Sequence, residues 1–258
     1  MHSTEEKLKA FERLLDIMDE LREKCPWDRE QTLETLRNLT IEETYELADA
    51  IMDQDLDEIR KELGDLMLHI VFYSKIGSEK GAFDIADVLN GINKKLIFRH
   101  PHVFGERKVK DSVEVTENWE ELKMKEGNRS VLAGVPISLP AMIKSHRIQD
   151  KARAVGFDWD YREQVWDKVI EEINEVKHEL INGNQKEKME EEIGDLLFSI
   201  VNAARLYDIE PETALERTNR KFIKRFKYLE AKALEMGRSL KEMSLDEMES
   251  IWQEAKTS

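Results

Sequence analysis

Carboxylates recur in this chain at spacings suited to holding a metal ion. Residues Ile41–Glu46 read IEETYE and Glu62–Asp65 read ELGD, while Ile170–Glu175 read IEEINE and Glu192–Asp195 read EIGD. Residues three and four apart share a helix face. Glu172 and Glu175 are therefore neighbours, as are Glu192 and Asp195. A turn near Asn182 to Gln185 would fold the two segments into an antiparallel hairpin, with all four carboxylates at about one height. The first copy does likewise, setting Glu43 and Glu46 against Glu62 and Asp65 across a turn near Asp53 to Asp57. Crowded carboxylates repel, at a cost of roughly tenths of a kcal/mol per exposed pair and more when partly buried. A divalent cation removes that cost. An all-oxygen ligand set favours Mg²⁺ or Mn²⁺ over zinc.

Gly64 and Gly194 each precede the aspartate of their motif. Glycine inside a helix costs about 1 kcal/mol relative to alanine. Its repeated use predicts that a neighbouring helix or a ligand approaches the backbone closely. Two other readings of the acidic runs exist. One is a solvated helix face, which does not account for a doubled EExxE…ExGD order. The other is a ferritin-like di-iron bundle, which needs Glu-x-x-His. Here the corresponding position is Asp65 or Asp195, and His69 has Ser199 as its counterpart.

The elements that must position these groups are helical. Phe11, Leu14, Leu15, Met18 and Leu21 mark one apolar face. Ile41, Tyr45, Ala48 and Met52 mark a second, and Ile59, Leu63, Leu66, Ile70 and Tyr73 a third. Val169, Ile173, Val176 and Leu180, then Ile193, Leu196, Leu197, Ile200 and Val201, repeat the pattern in the second half. No stretch sustains strand alternation. The five prolines lie outside these stripes, as helix interiors require. Pro211 marks a helix start, and Gly156 and Gly183 mark helix stops. The runs Leu66–Tyr73 and Leu196–Val201 are apolar nearly all round, which predicts burial on every side.

Glycines and prolines over Gly127–Pro140 split the chain near its middle. The expected division is a first domain over 1–127, a linker over 128–140 and a second domain over 141–258. Further landmarks echo across it in one order. Trp27-Asp28 returns as Trp159-Asp160, Asn93-Lys94-Lys95 with Arg99 as Asn219-Arg220-Lys221 with Arg225, and Trp119–Lys123 as Trp252–Lys256. The chain is expected to be all-α, with two tandem homologous helical domains. Each carries an acidic hairpin that completes a four-helix bundle by dimerisation.

Composition narrows the classes. A net charge of −15 over 258 residues opposes nucleic-acid binding, which needs clustered Lys and Arg. A single cysteine, Cys25, has no internal partner and points to a reducing compartment. No apolar signal core opens the sequence, and no apolar run is long enough to span a membrane. The expectation is a cytoplasmic protein.

These residues resemble the MazG family of nucleoside triphosphate pyrophosphohydrolases, within the all-α NTP pyrophosphatase superfamily. The doubled EExxE…ExxD signature carries the likeness, with CPWDREQT (Cys25–Thr32), RHPHVFG (Arg99–Gly105) and KARAVGFDW (Lys151–Trp159). The resemblance implies Mg²⁺-dependent hydrolysis of NTPs or dNTPs, ATP included, to the monophosphate and pyrophosphate, by a homodimer. It implies metal ligation by Glu172, Glu175, Glu192 and Asp195, with Glu43, Glu46, Glu62 and Asp65 as a second copy. It implies nucleotide contacts from Lys168, Lys188, Asn219, Lys221, Phe222, Arg225 and Trp252. Glu171 or Glu172 would orient or deprotonate water, beside Glu175.

Aligned on the acidic motifs, Lys168 corresponds to Leu39 and Lys188 to Glu58. The second copy is therefore expected to be the principal catalytic site. His100 and His102 are open to phosphate contact or to a turn-forming role. Narrower action on dUTP, dCTP or phosphoribosyl-ATP is the nearest enzymatic alternative. A non-catalytic helical interaction protein is the alternative of another class.

Overall fold

The computed structural model describes residues 1–111, 115, 130–183 and 185–256, and no strand occurs among them. The chain forms two compact units, Met1–Lys108 and Val109–Ser258. Trp119–Lys123, the first copy of the last landmark, lies outside the described residues.

The first unit contains α1 (Thr4–Lys24), α2 (Pro26–Glu30), α3 (Leu33–Asp53), α4 (Leu56–Glu79), α5 (Ile85–Arg99) and α6 (Pro101–Phe104). Local sequence sets the acidic hairpin. The Thr32 hydroxyl accepts from the Thr35 N–H to open α3. Gln54 turns the chain in the left-handed region at φ 56. Asp55 then caps α4 by accepting from the N–H groups of Asp57 and Glu58, which satisfies donors that a helix start leaves free. Met18, Leu36, Val71, Phe72 and Ile76 form the core between α1, α3 and α4. The Arg22 Nε donates to Glu79 at 3.0 Å and ties α1 to α4.

The second unit contains α7 (Ala141–Arg153), α8 (Val165–Asn182), α9 (Lys186–Leu206), α10 (Pro211–Glu235) and α11 (Leu245–Glu254). The turn between α8 and α9 falls where the spacing of the carboxylates predicts it. Gly183 ends α8, and a Cβ there would lie 2.5 Å from the Glu179 carbonyl oxygen. Gly156 holds φ +86 after α7, a conformation that glycine adopts without strain. It directs the chain into Phe157–Trp159. Pro211 occupies the first turn of α10 as expected. Val165, Val169 and Ala203 join α8 to α9. Leu229, Ala233, Met243 and Ile251 join α10 to α11.

The apolar runs are not covered on every side by their own chain. Met67 and Ile70 on α4, and Leu197, Phe198 and Ile200 on α9, remain exposed. A helix in a hairpin buries one stripe only, and these side chains lie off that stripe.

Candidate active site

On the hairpin of α8 and α9, Glu172, Glu192 and Asp195 each place a carboxylate oxygen within 4.8 Å of the others. Glu43, Glu62 and Asp65 do the same on α3 and α4. The fourth acid of each motif stands beside its triad. Glu175 lines a cleft of about 440 Å³ with Glu171, Asn174 and Glu192. Burial, then the charge of Glu175, holds the Glu192 carboxyl above its ordinary range. Burial, then the charge of Glu46, does the same to Glu62. Burial, then Asp65 and Glu46, raises Glu43.

Lys168 is one helical turn before Glu172. Its Nζ lies 2.7 Å from one Glu172 oxygen and 3.0 Å from Glu171. These two hydrogen bonds push the lysine above its usual range. The other Glu172 oxygen, Oε2, is buried without a hydrogen-bond partner, as is Glu62 Oε2 in the first unit. A buried carboxylate oxygen left unmet is costly, and only a cation can serve three acids at once. The donor set and the orphaned oxygens fit a hard divalent cation in either hairpin. His69 belongs to neither triad. It is buried, and its Nδ1 meets the Thr40 hydroxyl at 2.6 Å. The histidine ligand that a di-iron site needs is thus turned to packing.

A cavity of about 860 Å³ adjoins the second triad. Lys168, Glu172 and Asp195 line it together with Gln149, Phe157, Trp159, Phe198, Ser199 and Asn202. Asp158 and Arg205 brace its wall. Arg205 Nη1 donates to Asp158 at 3.0 Å, and its Nε donates to Asn202 at 3.1 Å. Burial is the largest single effect and raises the Asp158 carboxyl, but the hydrogen bonds from Arg205 and the Trp159 N–H and the charges of Arg205 and Arg153 together outweigh it, and the group lies below its usual range. Sequence periodicity did not reveal this cavity. The signal it left is the smaller side chains Ser199 and Asn202 where the other copy has His69 and Phe72.

The remaining expected contacts form a separate face on α10 and α11. Phe222 lies 5.0 Å from Trp252 between ring centroids, and Arg225 lies over the Trp252 ring at 5.9 Å. Asn219 Nδ2 donates to Glu216 at 3.3 Å, and Lys221 is exposed. None of these residues lines the cavity, nor does the exposed Lys188. His100 ends α5 and its Nδ1 meets the Leu96 carbonyl at 2.7 Å, a turn-forming arrangement. A Cβ placed on Gly64 or Gly194 meets open space. No described residue of the same chain makes the close approach that these glycines predict.

Residues 31–104 and 162–229 each match the family described as the MazG nucleotide pyrophosphohydrolase domain. The chain belongs to the MazG family. It is 42% identical over 257 residues to a nucleoside triphosphate pyrophosphohydrolase of Escherichia coli strain K12, covering 96% of this chain and 98% of that protein. It is 42% identical over 252 residues to the nucleoside triphosphate pyrophosphohydrolase/pyrophosphatase MazG of Thermotoga maritima, covering 95% of both. The crystal structure of a mazG-related protein from Thermotoga maritima is 29% identical, with a TM-score of 0.40 over 44% of this chain and 98% of that one. The MazG domain occurs twice, so the internal repeat read from the landmarks is a tandem of helical domains. This is the enzyme class that the doubled acidic motif implied. Among the described residues, no helix is long and apolar enough to cross a membrane.

Proposed function

We propose that this chain hydrolyses nucleoside triphosphates, ribo and deoxyribo alike, to the monophosphate and pyrophosphate, with the second unit as the principal site. One observation carries the choice of unit. Lys168, Glu172 and Asp195 line one cavity of ligand size there, whereas Leu39 replaces the lysine in the first unit. The names of the E. coli and T. maritima relatives support the reaction class.

The proposed ligands are Glu172, Glu175, Glu192 and Asp195, holding Mg²⁺ with Mn²⁺ as the alternative. Bound there, the ion supplies positive charge against the triphosphate oxygens as charge builds at the α-phosphorus. Glu171 lies outside the triad and is held by Lys168. It is the proposed base. Water attacks the α-phosphorus, its proton passes to the Glu171 carboxylate, and the bond from that phosphorus to the bridging oxygen breaks to release pyrophosphate. Lys168 neutralises Glu172 before substrate arrives and pairs with a phosphate afterwards.

The exposed apolar residues of α9, and Phe222 and Ile223 on α10, support a homodimer that covers them. In that assembly Asn219, Lys221, Phe222, Arg225 and Trp252 reach the nucleotide from across the subunit contact, with Lys188 at the phosphates. The Glu43 triad binds a cation without full phosphate pairing.

Incubation with each nucleotide and Mg²⁺, reading pyrophosphate against orthophosphate, tests the reaction. No pyrophosphate from any nucleotide would sink it, and orthophosphate alone would indicate a different phosphohydrolase. Glu175→Ala is expected to abolish most turnover and Glu46→Ala to spare it. The reverse would move the principal site to the first unit.

A further inference from the structure

We propose that Lys151 is a positioning residue for the reaction: its buried ammonium holds Val131 and Leu132 in place as one wall of the cavity beside Glu172, and so governs how tightly substrate is held. The proposal rests on the nucleotide reading above and does not depend on which part of the nucleotide meets that wall. Lys151 opens the KARAVGFDW stretch and is 5% exposed. Its Nζ donates to the Val131 carbonyl at 3.0 Å, 20 residues away in sequence. Taking an ammonium out of water is costly unless it is hydrogen-bonded. An aliphatic side chain would fill the same place without that cost. The charge therefore calls for a task that packing alone does not perform.

The segment it holds is built from local turns. Ala133 N–H donates to the Ser130 carbonyl at 3.0 Å and Val135 N–H to the Leu132 carbonyl at 3.3 Å, and Gly134 turns at φ +80. Turns of this kind shape a segment without seating it against anything. α7 supplies the seat. Lys144 Nζ donates to the Ile137 carbonyl. Lys151 follows seven residues on, two turns along the same helix face, and takes the other end of the segment. α7 is itself tied to the acidic hairpin, because Gln149 Nε2 donates to the Phe198 carbonyl of α9 at 2.9 Å. Val131 and Leu132 thereby line the cavity together with Ile148, Ala152, Glu172 and Asp195.

The repeat does not carry this clasp. Ile148-Gln149-Asp150 aligns with Ile17-Met18-Asp19 of α1, and buried Gln149 falls on buried Met18. Lys151 then corresponds to Glu20. Glu20 is exposed and pairs within its own helix, with Lys24 at 3.1 Å. The buried lysine thus belongs to the unit that has Lys168 and the cavity, and not to the duplicated hairpin as such.

Steady-state pyrophosphate release from ATP and Mg²⁺ by wild type and Lys151→Met tests the role. The variant is expected to raise KM by about tenfold, the scale of one hydrogen bond to a charged group, while kcat stays unchanged, the split expected when binding alone is weakened. Hydrogen exchange at the Ala133 and Val135 amides is expected to quicken in the variant. An unchanged KM overturns the proposal. So does a fall in kcat at constant KM, or exchange at the two amides equal to wild type. If Lys151→Met does not fold, Leu132→Ala takes its place, at a side chain 45% exposed. A raised KM with kcat held then supports the wall, and an unchanged KM overturns it. If wild type releases no pyrophosphate from any nucleotide, the reaction assignment fails by itself. Calorimetric titration with ATP and Mg²⁺ then decides the wall. Weaker binding in Lys151→Met supports it, and equal or absent binding overturns it.

Discussion

Lys168 Nζ sits 2.7 Å from one oxygen of Glu172, while the other oxygen of that carboxylate is buried and unpaired. The pair is therefore half-committed, one oxygen to the lysine and one left for a ligand. Lys168 is itself 40% exposed, whereas the Glu172 side chain is only 6% exposed, so removing the lysine leaves a buried carboxylate unpaired. A charged hydrogen bond to a bound phosphate is worth about 1.5–3 kcal/mol. Lys168→Met is expected to lower the melting temperature in EDTA and to regain part of that loss with Mg²⁺, which would compensate the same carboxylate. It is expected to lower kcat/KM by about tenfold to a hundredfold on the same energy scale. Steady-state pyrophosphate release and a thermal melt on one preparation check both parts.

The metal-free protein carries a pH signature at the same site. Burial, then Glu175 and Asp195, raises the Glu192 carboxyl above its ordinary 4.5. Between 4.5 and the raised folded value, the native state binds more protons than the unfolded chain. Stability contributed by this group therefore falls as pH rises through that window. In EDTA, Glu192→Gln is expected to melt above wild type by a margin that grows as pH rises past 4.5 and then levels. With Mg²⁺ the order reverses, because ligand binding stabilises only the protein that retains the site. A constant margin across the pH series would show that Glu192 feels no such crowding.

Gly194 offers a test in which stability and activity move in opposite directions. A Cβ there meets open space within the chain. Gly194→Ala is expected to raise stability by about 1 kcal/mol. If a ligand or a second subunit approaches this backbone, the same methyl group lowers turnover. A melt that rises while pyrophosphate release falls would match. Unchanged turnover would mean that nothing approaches the glycine.

The helices and both hairpin turns were legible because each depends on local spacing. Acids three residues apart on α9, such as Glu192 and Asp195, must share a face. Glu175 was harder. It shares a face with Glu171 as well as with Glu172, and only the hairpin geometry decides which acid enters the triad. The cavity was not legible from helical periodicity. Its lining comes from α7, the Phe157–Trp159 segment, α8 and α9, and no window of sequence brings these together. Met67, Ile70, Leu197 and Ile200 misled in a related way. Their apolar character predicted burial on every side, and a hairpin of two helices buries only one stripe of each.

The Asp158–Arg205 pair beside the cavity separates two kinds of disruption. Arg205 is 4% exposed, whereas the Asp158 side chain is 19% exposed. Removing one partner of a buried pair costs about 3–5 kcal/mol, chiefly through the charge left behind. Asp158→Ala strands the more deeply buried guanidinium, whose one remaining side-chain acceptor in the described chain is Asn202. Arg205→Met strands a carboxylate that still reaches solvent and the exposed Arg153, 3.9 Å away. Asp158→Ala is therefore expected to be the more destabilising change, and urea unfolding of the two variants ranks them. Both should also weaken substrate binding, since Trp159 follows Asp158 directly and its N–H donates to that carboxylate at 3.0 Å. In Asp158→Asn a neutral acceptor keeps the Trp159 contact while most of the charge pairing is lost. It should fall between wild type and alanine in stability, with KM close to wild type. If its KM rises as far as that of Asp158→Ala, the charge rather than the tryptophan position governs the cavity wall.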